Sequence, residues 1–379
     1  MTAEGVAPAS RGVTVAAEVA YLRQALGPPA HVDAVEVIQT HMSWLFLAGP
    51  DVYKLKKPYR HERIDYATLA ARRRNCRREV RLNRRLAPDA YLGTVRLVVD
   101  ARGKLMLGGH GRVVDWLVHM RRLPVAFSLE RRLLAGTVTP VQIGRVVARL
   151  LPLFRDAPRA RWSGRGYVRH LHRTIAGSAA ELVRPAYGQS PREIAVLASR
   201  LARFLDARAG LFAGRVQQRR ILEGHGDLRP EHVYLTTPPT IVDCIEFDRE
   251  LRLRDPVDEL AFLAMECERL GHPEIDAWLF GAYRSRTGDR APRELIEFHQ
   301  ALNAFARARI ALWHLDDPDT GPRRRWLARG KEYLRIARRH ADRLPETPAC
   351  PRSGRSRAPR QTAAPAPPRD VALVAGPPV

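Results

Sequence analysis

The strongest candidate for chemistry is an irregular segment that runs from His225 to Leu235 and contains Asp227. Its glycine and proline argue against a regular helix, and an apolar stretch follows directly, so we expect a loop that fixes a carboxylate at the mouth of a cleft. Phosphoryl transfer uses such an aspartate to orient or deprotonate the acceptor hydroxyl, with a metal ligand five residues later. The segment therefore predicts Asp227 as the catalytic base and His232 as a metal ligand, although an ordinary polar turn fits the same residues.

A second acidic segment lies 16 and 19 residues beyond Asp227, where Asp243 and Glu246 follow the apolar pair Ile241 and Val242. Magnesium prefers one or two carboxylates and keeps several waters. Residues three positions apart face opposite sides of an ideal strand, so both acids can bind one ion only if the strand ends or twists between them. We expect Asp243 to be the main metal ligand and Glu246 a co-ligand. Alternatively, the two acids bind no metal and only keep an exposed edge strand soluble.

Two further acids, Asp255 and Asp258, precede an apolar helical stretch. Acidic residues at this position are typical of helix N-caps. We expect them to cap that helix, and one of them could also accept the backbone amides of the Asp227 loop.

The candidate nucleotide anchor is a lysine on the short strand predicted at 52–57. Lys54 and Lys56 face one side of this strand, and Tyr53 and Leu55 face the other. The helix predicted over 66–86 contains eight arginines but only one acid, Glu79, which falls among the apolar residues of its packing face. Kinases hold the ATP phosphates with a lysine that is oriented by a helical glutamate. We therefore predict that Glu79 orients Lys54, with Lys56 as the fallback lysine. Alternatively, Glu79 only forms ion pairs with arginines one turn away on the same helix.

The candidate site residues are far apart in sequence, so the helices and strands of the fold must bring them together. From 31 to 124 the chain has short runs rich in β-branched and aromatic residues around one helix, and from 125 to 344 its pattern is mostly helical. Residues 1–30 are predicted to be an N-terminal extension with one short helix at 15–26, and residues 345–379 a disordered tail rich in Pro, Ala and Arg. The predicted fold class is α+β, with a small antiparallel β N-lobe, a larger helical C-lobe and a cleft between them.

Composition narrows the class of protein. The 379 residues include 64 Lys plus Arg against 40 Asp plus Glu, a formal net charge of +24. This charge favours anionic partners. An aromatic content of 7% and the lack of a recognisable nucleic-acid-binding motif argue against nucleic acid as that partner. Four distant cysteines argue against a zinc site or a disulfide scaffold. Neither a membrane-spanning run nor a secretory signal is visible, so we expect a cytoplasmic protein that does not bind membranes.

With these residues in place, the chain resembles the aminoglycoside phosphotransferase-like superfamily, which has a protein-kinase-like fold. Within it, the chain is most similar to the kinase-like half of uncharacterised bifunctional proteins that carry a C-terminal P-loop ATP-binding domain. The resemblance covers about residues 31–340. It is carried by the segments THMSWLFLAG, VYKLKKP, LNRRLAP, MRRLP, HGDLRPEHVYL, DCIEF and DELAFLAME.

The resemblance implies a kinase that uses ATP and Mg²⁺ to phosphorylate a hydroxyl of a small molecule. It implies Asp227 as base, Lys54 and Glu79 as the phosphate-anchoring pair, Asp243 or Glu246 on magnesium, and the segment around Met120 as the linker beside adenine. No P-loop motif (GxxxxGK[ST]) occurs in the sequence, so product channelling between two domains is not expected.

Two departures from the superfamily pattern define the alternatives. His232 stands where the superfamily has asparagine, and residues 40–43 replace a glycine-rich loop over the phosphates. A pseudokinase or nucleotide-sensing module is therefore the second hypothesis, and a nucleic-acid-binding protein is the third. Because the chain is strongly cationic, we expect polycationic aminoglycosides to be poor substrates.

Overall fold

The computed structural model describes residues 13–27, 35–61, 63–316 and 321–346. The predicted helix of the N-terminal extension is present as α1 (Val15–Ala25), and Thr14 caps its first turn. The predicted disordered tail lies outside the described residues from residue 347 onward.

An antiparallel sheet forms the first lobe. The strands of this half are β1 (Glu36–Gln39), β2 (Ser43–Ala48), β3 (Asp51–Lys56), β4 (Arg60–His61), β5 (Ile64–Asp65), β6 (Tyr91–Val99), β7 (Leu105–Leu107) and β8 (Arg112–Arg121). Six of them form one sheet in the order β1-β2-β3-β8-β6-β7, and β4 pairs with β5. The segment Ala-Gly-Pro-Asp at 48–51 forms a hairpin turn, and Ala48 pairs with Asp51 between β2 and β3.

Strand β8 was not predicted from the sequence, although it lies between β3 and β6 in the sheet. Its run of valine, tryptophan and leucine is typical of a strand, and the signal was available. This strand also ends at the connection to the second lobe, so its position determines where the two lobes join.

Helix α2 (Leu69–Asn83) packs against the sheet and is three residues shorter at each end than predicted. Thr68 caps its start by accepting a hydrogen bond from the amide of Ala71. One arginine, Arg72, lies on the buried face, where it forms an ion pair of 2.9 Å with the buried Asp115. The pair explains how a basic helix can place one of its arginines inside the lobe.

The chain leaves the sheet after Arg121 and enters a helical lobe. Its helices are α3 (Leu129–Leu134), α4 (Pro140–Asp156), α5 (Gly164–Leu182), α6 (Pro191–Ala207), α7 (Ala209–Gln217), α8 (Pro256–Arg269), α9 (Ile275–Thr287), α10 (Arg293–Trp313) and α11 (Arg323–Asp342). Four short strands lie among them: β9 (Leu222–Glu223), β10 (Val233–Tyr234), β11 (Thr240–Ile241) and β12 (Leu253–Arg254). The predicted two-lobed α+β fold, with its small antiparallel β lobe and larger helical lobe, is confirmed.

The core of the helical lobe is one continuous apolar cluster to which α8 and α10 contribute most of their length. Asp255 caps α8 by accepting from the amide of Val257, as predicted. Among the described residues, the helices are all too short or too polar to span a lipid bilayer.

Candidate active site

The two lysines of β3 share one glutamate of α2. Lys54 Nζ lies 2.9 Å from Glu79 Oε1, and Lys56 Nζ lies 2.6 Å from Glu79 Oε2. Strand alternation places both lysines on the face that α2 covers, and Glu79 is fully buried there. The structure therefore brings together the predicted Lys54–Glu79 pair and also the fallback lysine.

Lys54 also contacts the second lobe, because its Nζ lies 3.0 Å from Asp243 Oδ1. Burial opposes the charge on Lys54, but Asp243 and Glu79 outweigh that effect and raise its pKa. Desolvation likewise opposes ionisation of Asp243, but the Lys54 ammonium outweighs it and lowers the pKa of that carboxyl. Both groups are therefore charged at neutral pH.

The strand predicted to continue through Asp243 ends earlier. β11 stops at Ile241, and Asp243 has a φ of +63°, a left-handed conformation that is uncommon for a residue other than glycine. The Tyr91 hydroxyl accepts the amide of Asp243 at 3.1 Å, and Asn83 Oδ1 accepts the amide of Cys244 at 2.8 Å. Side chains of the first lobe thus hold the backbone in this bend and aim Asp243 into the cleft.

The bend separates the roles of the two acids that were predicted to share a metal. Asp243 faces Lys54 and lies 3.4 Å from His232 Nε2. Glu246 instead accepts hydrogen bonds from Lys56 and from the Tyr66 hydroxyl. Both donors reach the same oxygen, Oε1, so this side of the Glu246 carboxylate is in a different environment from that of Asp243.

Asp227 lies in the predicted irregular loop. Arg229 Nε donates to Asp227 Oδ2 at 3.0 Å, and His232 Nδ1 lies 2.9 Å from the carbonyl oxygen of Asp227. Burial opposes ionisation of Asp227, but neighbouring cations, Arg229 first among them, lower its pKa. Asp227 is therefore an ionised carboxylate that can accept a proton or a hydrogen bond.

The two histidines of the loop have defined hydrogen-bonding roles. His225 is buried, which lowers its pKa to about 4, so it is neutral at physiological pH. Its Nε2 lies 2.9 Å from the carbonyl oxygen of Val242, while its Nδ1 accepts the amide of Asp227. In His232, Nδ1 faces the Asp227 carbonyl oxygen, so Nε2 is the acceptor and lies 3.1 Å from a donor of Arg229.

The backbone of the loop is supported by Glu259, and not by Asp255 or Asp258, the two acids for which this role was considered. Glu259 Oε1 accepts the amides of His225 at 3.1 Å and Gly226 at 2.8 Å. Asp258 instead pairs with Arg254. A Cβ at Gly224 would lie 2.6 Å from Glu259 Oε1, so a larger residue at this position would displace the carboxylate.

Glu259 predicts a measurable pH dependence of stability. Burial raises its pKa from 4.5 to about 7. The folded protein therefore binds more protons at this site than the unfolded chain between about pH 4.5 and 7, and its stability falls as pH rises through that window. A Glu259→Gln variant keeps the accepting oxygen but does not titrate. We expect the unfolding free energy of the wild type relative to this variant to fall by about 2–3 kcal/mol from pH 4.5 to 8.

Urea denaturation of both proteins at several pH values measures this difference. Other titrating groups are common to both proteins and cancel in the comparison. A constant difference across the range would show that Glu259 is ionised in the folded state well below pH 7.

Met120 lies near the end of β8, opposite Val52 of β3, and is half-buried against the cluster formed by α2 and β6. The amide of Arg122, in the connection that follows, donates to the carbonyl oxygen of Pro50 at 2.7 Å. Met120 is therefore the penultimate residue of β8 and lies just before the connection between the lobes, whereas the resemblance implied that it belongs to that connection.

Two residues of α10, Arg307 and Trp313, differ in environment. Arg307 Nε lies 3.2 Å from Glu266, a buried acid that also accepts from the Tyr333 hydroxyl. Trp313 packs edge-on against His41 at 5.1 Å between ring centroids. His41 belongs to the turn between β1 and β2, so this contact joins that turn to the helical lobe.

Several residues of the site were not predicted: Asn83, Arg85, Tyr91, Arg229 and Glu259. Asn83 is one of the buried residues of α2. Arg85 Nη1 donates to the carbonyl oxygen of Glu223, and Arg85 Nη2 donates to that of Gly224, each at 2.9 Å. Arg229 had a usable signal, since it lies two residues after Asp227 in the loop. The other side chains act on backbone groups far away in sequence, which no local pattern indicates.

The residues at this site fit a divalent cation that is completed by phosphates and water. Among the described residues, no three His, Cys, Asp or Glu side chains form a group that could hold a metal alone. Asp243 and His232 offer one carboxylate and one imidazole nitrogen in adjacent positions. Magnesium in nucleotide sites is usually bound through one or two carboxylates together with phosphates and water, and Asp243 supplies one such carboxylate here.

Two curated relatives are similar to this chain in sequence. An uncharacterized protein of Mycobacterium tuberculosis and one of Mycobacterium bovis are each 33% identical to it over 282 residues, which is 73% of this chain and 54% of each relative. The chain thus spans about half the length of the curated relatives it matches. No protein-family model matches the chain.

Solved structures also align with the fold. A choline/ethanolamine kinase family protein of Mesorhizobium loti is 18% identical, with a TM-score of 0.47 and coverage of 87% of this chain and 98% of that protein. Choline kinase of Cryptosporidium parvum is 10% identical, with a TM-score of 0.49 and coverage of 82% and 91%. An aminoglycoside phosphotransferase of Streptomyces rimosus is 16% identical, with a TM-score of 0.45 and coverage of 78% and 99%. The comparisons thus identify the chain as a sequence relative of the two mycobacterial proteins.

Proposed function

We propose that this chain is an ATP- and Mg²⁺-dependent phosphotransferase of the aminoglycoside phosphotransferase-like class that acts on a hydroxyl of a small molecule. The observation that carries the proposal is the contact of Lys54 with both Glu79 and Asp243, although Lys54 and Asp243 are 189 residues apart. A lysine between a helical glutamate and a metal-binding aspartate is the arrangement that phosphoryl transfer needs. His232 and Asp227 adjoin it through the contacts described above.

In this proposal Lys54 binds the nucleotide phosphates and Glu79 orients it. Met120 and the connection that follows it line the adenine side. Asp243 is the main magnesium ligand and His232 the second. Glu246 stays with Lys56, which donates to its Oε1 together with the Tyr66 hydroxyl. Magnesium, when bound, would neutralise phosphate charge as the phosphoryl group leaves ADP.

Asp227 is the proposed base. Its carboxylate is ionised and partly exposed, so an acceptor hydroxyl can donate a hydrogen bond to it. The Arg229 guanidinium beside it would balance the charge of a phosphoryl group held near the base. The chain's own residues therefore align the hydroxyl, receive its proton at a carboxylate oxygen of Asp227 and offset the charge of the transferred group.

The proposal is tested by a screen of ATP turnover with Mg²⁺ against sugars, amino alcohols and aminoglycosides. We expect at least one hydroxylated compound to yield a phosphorylated product with the wild type and none with Asp227→Ala. Aminoglycosides are expected to be poor acceptors, because a guanidinium lies beside the base and the chain has a formal charge of +24. Phosphorylation of kanamycin at ordinary turnover would contradict this second expectation.

One observation favours a second function. Arg229 contacts Asp227, His232 and Glu231 at once, so a cation already occupies part of the catalytic loop. A nucleotide-sensing module without phosphoryl transfer is the function that fits a site in which Arg229 keeps these contacts. ATP binding that persists in Asp227→Ala, with no turnover of any acceptor by the wild type, would select it.

A further inference from the structure

Lys56 has no role in the proposed phosphate site, yet it is a buried lysine with two acidic partners. Its side chain is 1% exposed, and its Nζ donates to both Glu79 and Glu246. The Nζ atom also lies 4.7 Å from the centre of the Tyr66 ring. Burial opposes the charge of Lys56, but Glu246 and Glu79 outweigh it and raise its pKa. A buried cation is costly unless opposite charges surround it, so this lysine is held by its two carboxylates.

Glu79 divides its carboxylate between the lysines. Oε1 contacts Lys54, and Oε2 contacts Lys56. A lysine has three donors, and in a nucleotide complex Lys54 must direct some of them to phosphates. Its hold on Glu79 is then shared, whereas Lys56 is enclosed and retains its contact. Lys56 can therefore keep Glu79 oriented while Lys54 serves the nucleotide.

Glu246 extends the same network to the second lobe. It lies three residues after Asp243, and the Tyr66 hydroxyl donates to the carboxylate that Lys56 binds. From α2, Arg78 donates to the backbone oxygen of Glu246 at 3.2 Å. Lys56 thus connects β3 and α2 to the segment that carries Asp243, independently of the Lys54–Asp243 contact.

We propose that Lys56 is a positioning residue, which holds the second oxygen of Glu79 and the carboxylate of Glu246 so that Lys54 is aimed at the phosphates before nucleotide binds. The inference rests on the proposed function. This role explains why a second lysine, Lys56, is buried two residues after Lys54 on the same face of β3.

The test removes one positive and one negative charge together. Lys56→Met alone would leave two buried carboxylates facing each other, so the main variant is Lys56→Met/Glu246→Gln, in which the new amide oxygen still accepts from Tyr66. Lys57→Met is the matched control, because Lys57 lies over Trp44 and has no carboxylate within 4.0 Å among the described residues. ADP binding is measured by calorimetry, and the KM for ATP is measured with any acceptor found.

We expect the paired variant to bind ADP about 10-fold more weakly, the lower end of the loss seen when a residue that orients a ligand is removed. The Lys57→Met control should match the wild type. Adding Glu79→Gln to the paired variant should cause little further loss, because both changes remove the same orientation of Lys54. A residue with only a structural role would lower the thermal midpoint and the active fraction without raising the KM.

Wild-type affinity in the paired variant, or full additivity with Glu79→Gln, would overturn the positioning role and leave the proposed function intact. A wild type that binds no ADP would overturn both. If the paired variant does not fold, Lys56→Gln alone is the second measurement. It keeps one donor for Glu79, so a smaller loss of ADP affinity is expected, and unchanged affinity would again overturn the inference.

Discussion

Replacing Asp227 with asparagine is expected to lower turnover by roughly 10²- to 10⁴-fold, the usual contribution of a positioned acid or base. The substitution preserves size and leaves an oxygen for Arg229, but it removes the negative charge that accepts the proton. ADP affinity should change little, since Lys54 and Asp243 remain in place. Product formation measured under saturating ATP, together with ADP binding, checks both expectations.

The control for this substitution is Asp206→Asn, an exposed acid of α6 that contacts His172. It makes the same chemical change on the same lobe, outside the loop. If Asp227→Asn retains the turnover of Asp206→Asn, the base must be another residue.

Replacing Arg215 with methionine is expected to have the largest effect on stability, a loss of about 3–5 kcal/mol. The Arg215 guanidinium lies between two buried carboxylates, 2.6 Å from Asp255 and 2.8 Å from Asp289, and all three side chains are at most 6% exposed. Its loss would leave two buried acids without their main cation. Because Asp255 caps α8, which carries Glu259, the loop around Asp227 should also lose protection from amide hydrogen exchange.

Arg208→Met is the matched control. Arg208 also forms an ion pair, with Glu294, but its side chain is 42% exposed. Exposed pairs contribute about 0–1 kcal/mol, so this variant should remain close to the wild type in urea denaturation. Equal stability of the two variants would show that burial of the Arg215 network does not determine its contribution.

Much of the site was predictable because its signals are local in sequence. Glu79 is the one acid on the packing face of a basic helix, and a buried carboxylate requires a cation. Strand alternation predicted that Lys54 and Lys56 lie on one face, and in the structure both lysines form ion pairs with Glu79. The loop around Asp227 was indicated by its glycine and proline, and the α8 cap by Asp255.

The sequence did not predict the arrangement around Asp243. Apolar residues favour a strand there, but the amide hydrogen bonds to Tyr91 and Asn83 come from the other lobe and hold Asp243 at positive φ. Those contacts bridge 152 and 161 positions of sequence, so no local pattern contains them.

The sequence by itself thus determined which side chains carry charge, which face of each element is apolar, and that an irregular loop surrounds Asp227. Only the tertiary structure decided that Glu246 belongs to Lys56, that Glu259 rather than Asp258 supports the loop, and that one glutamate serves two lysines. The physical reason is that a buried charge takes the partner that lobe packing brings within hydrogen-bonding distance. Secondary structure indicates the direction of a side chain, whereas its partner depends on how elements distant in sequence pack together.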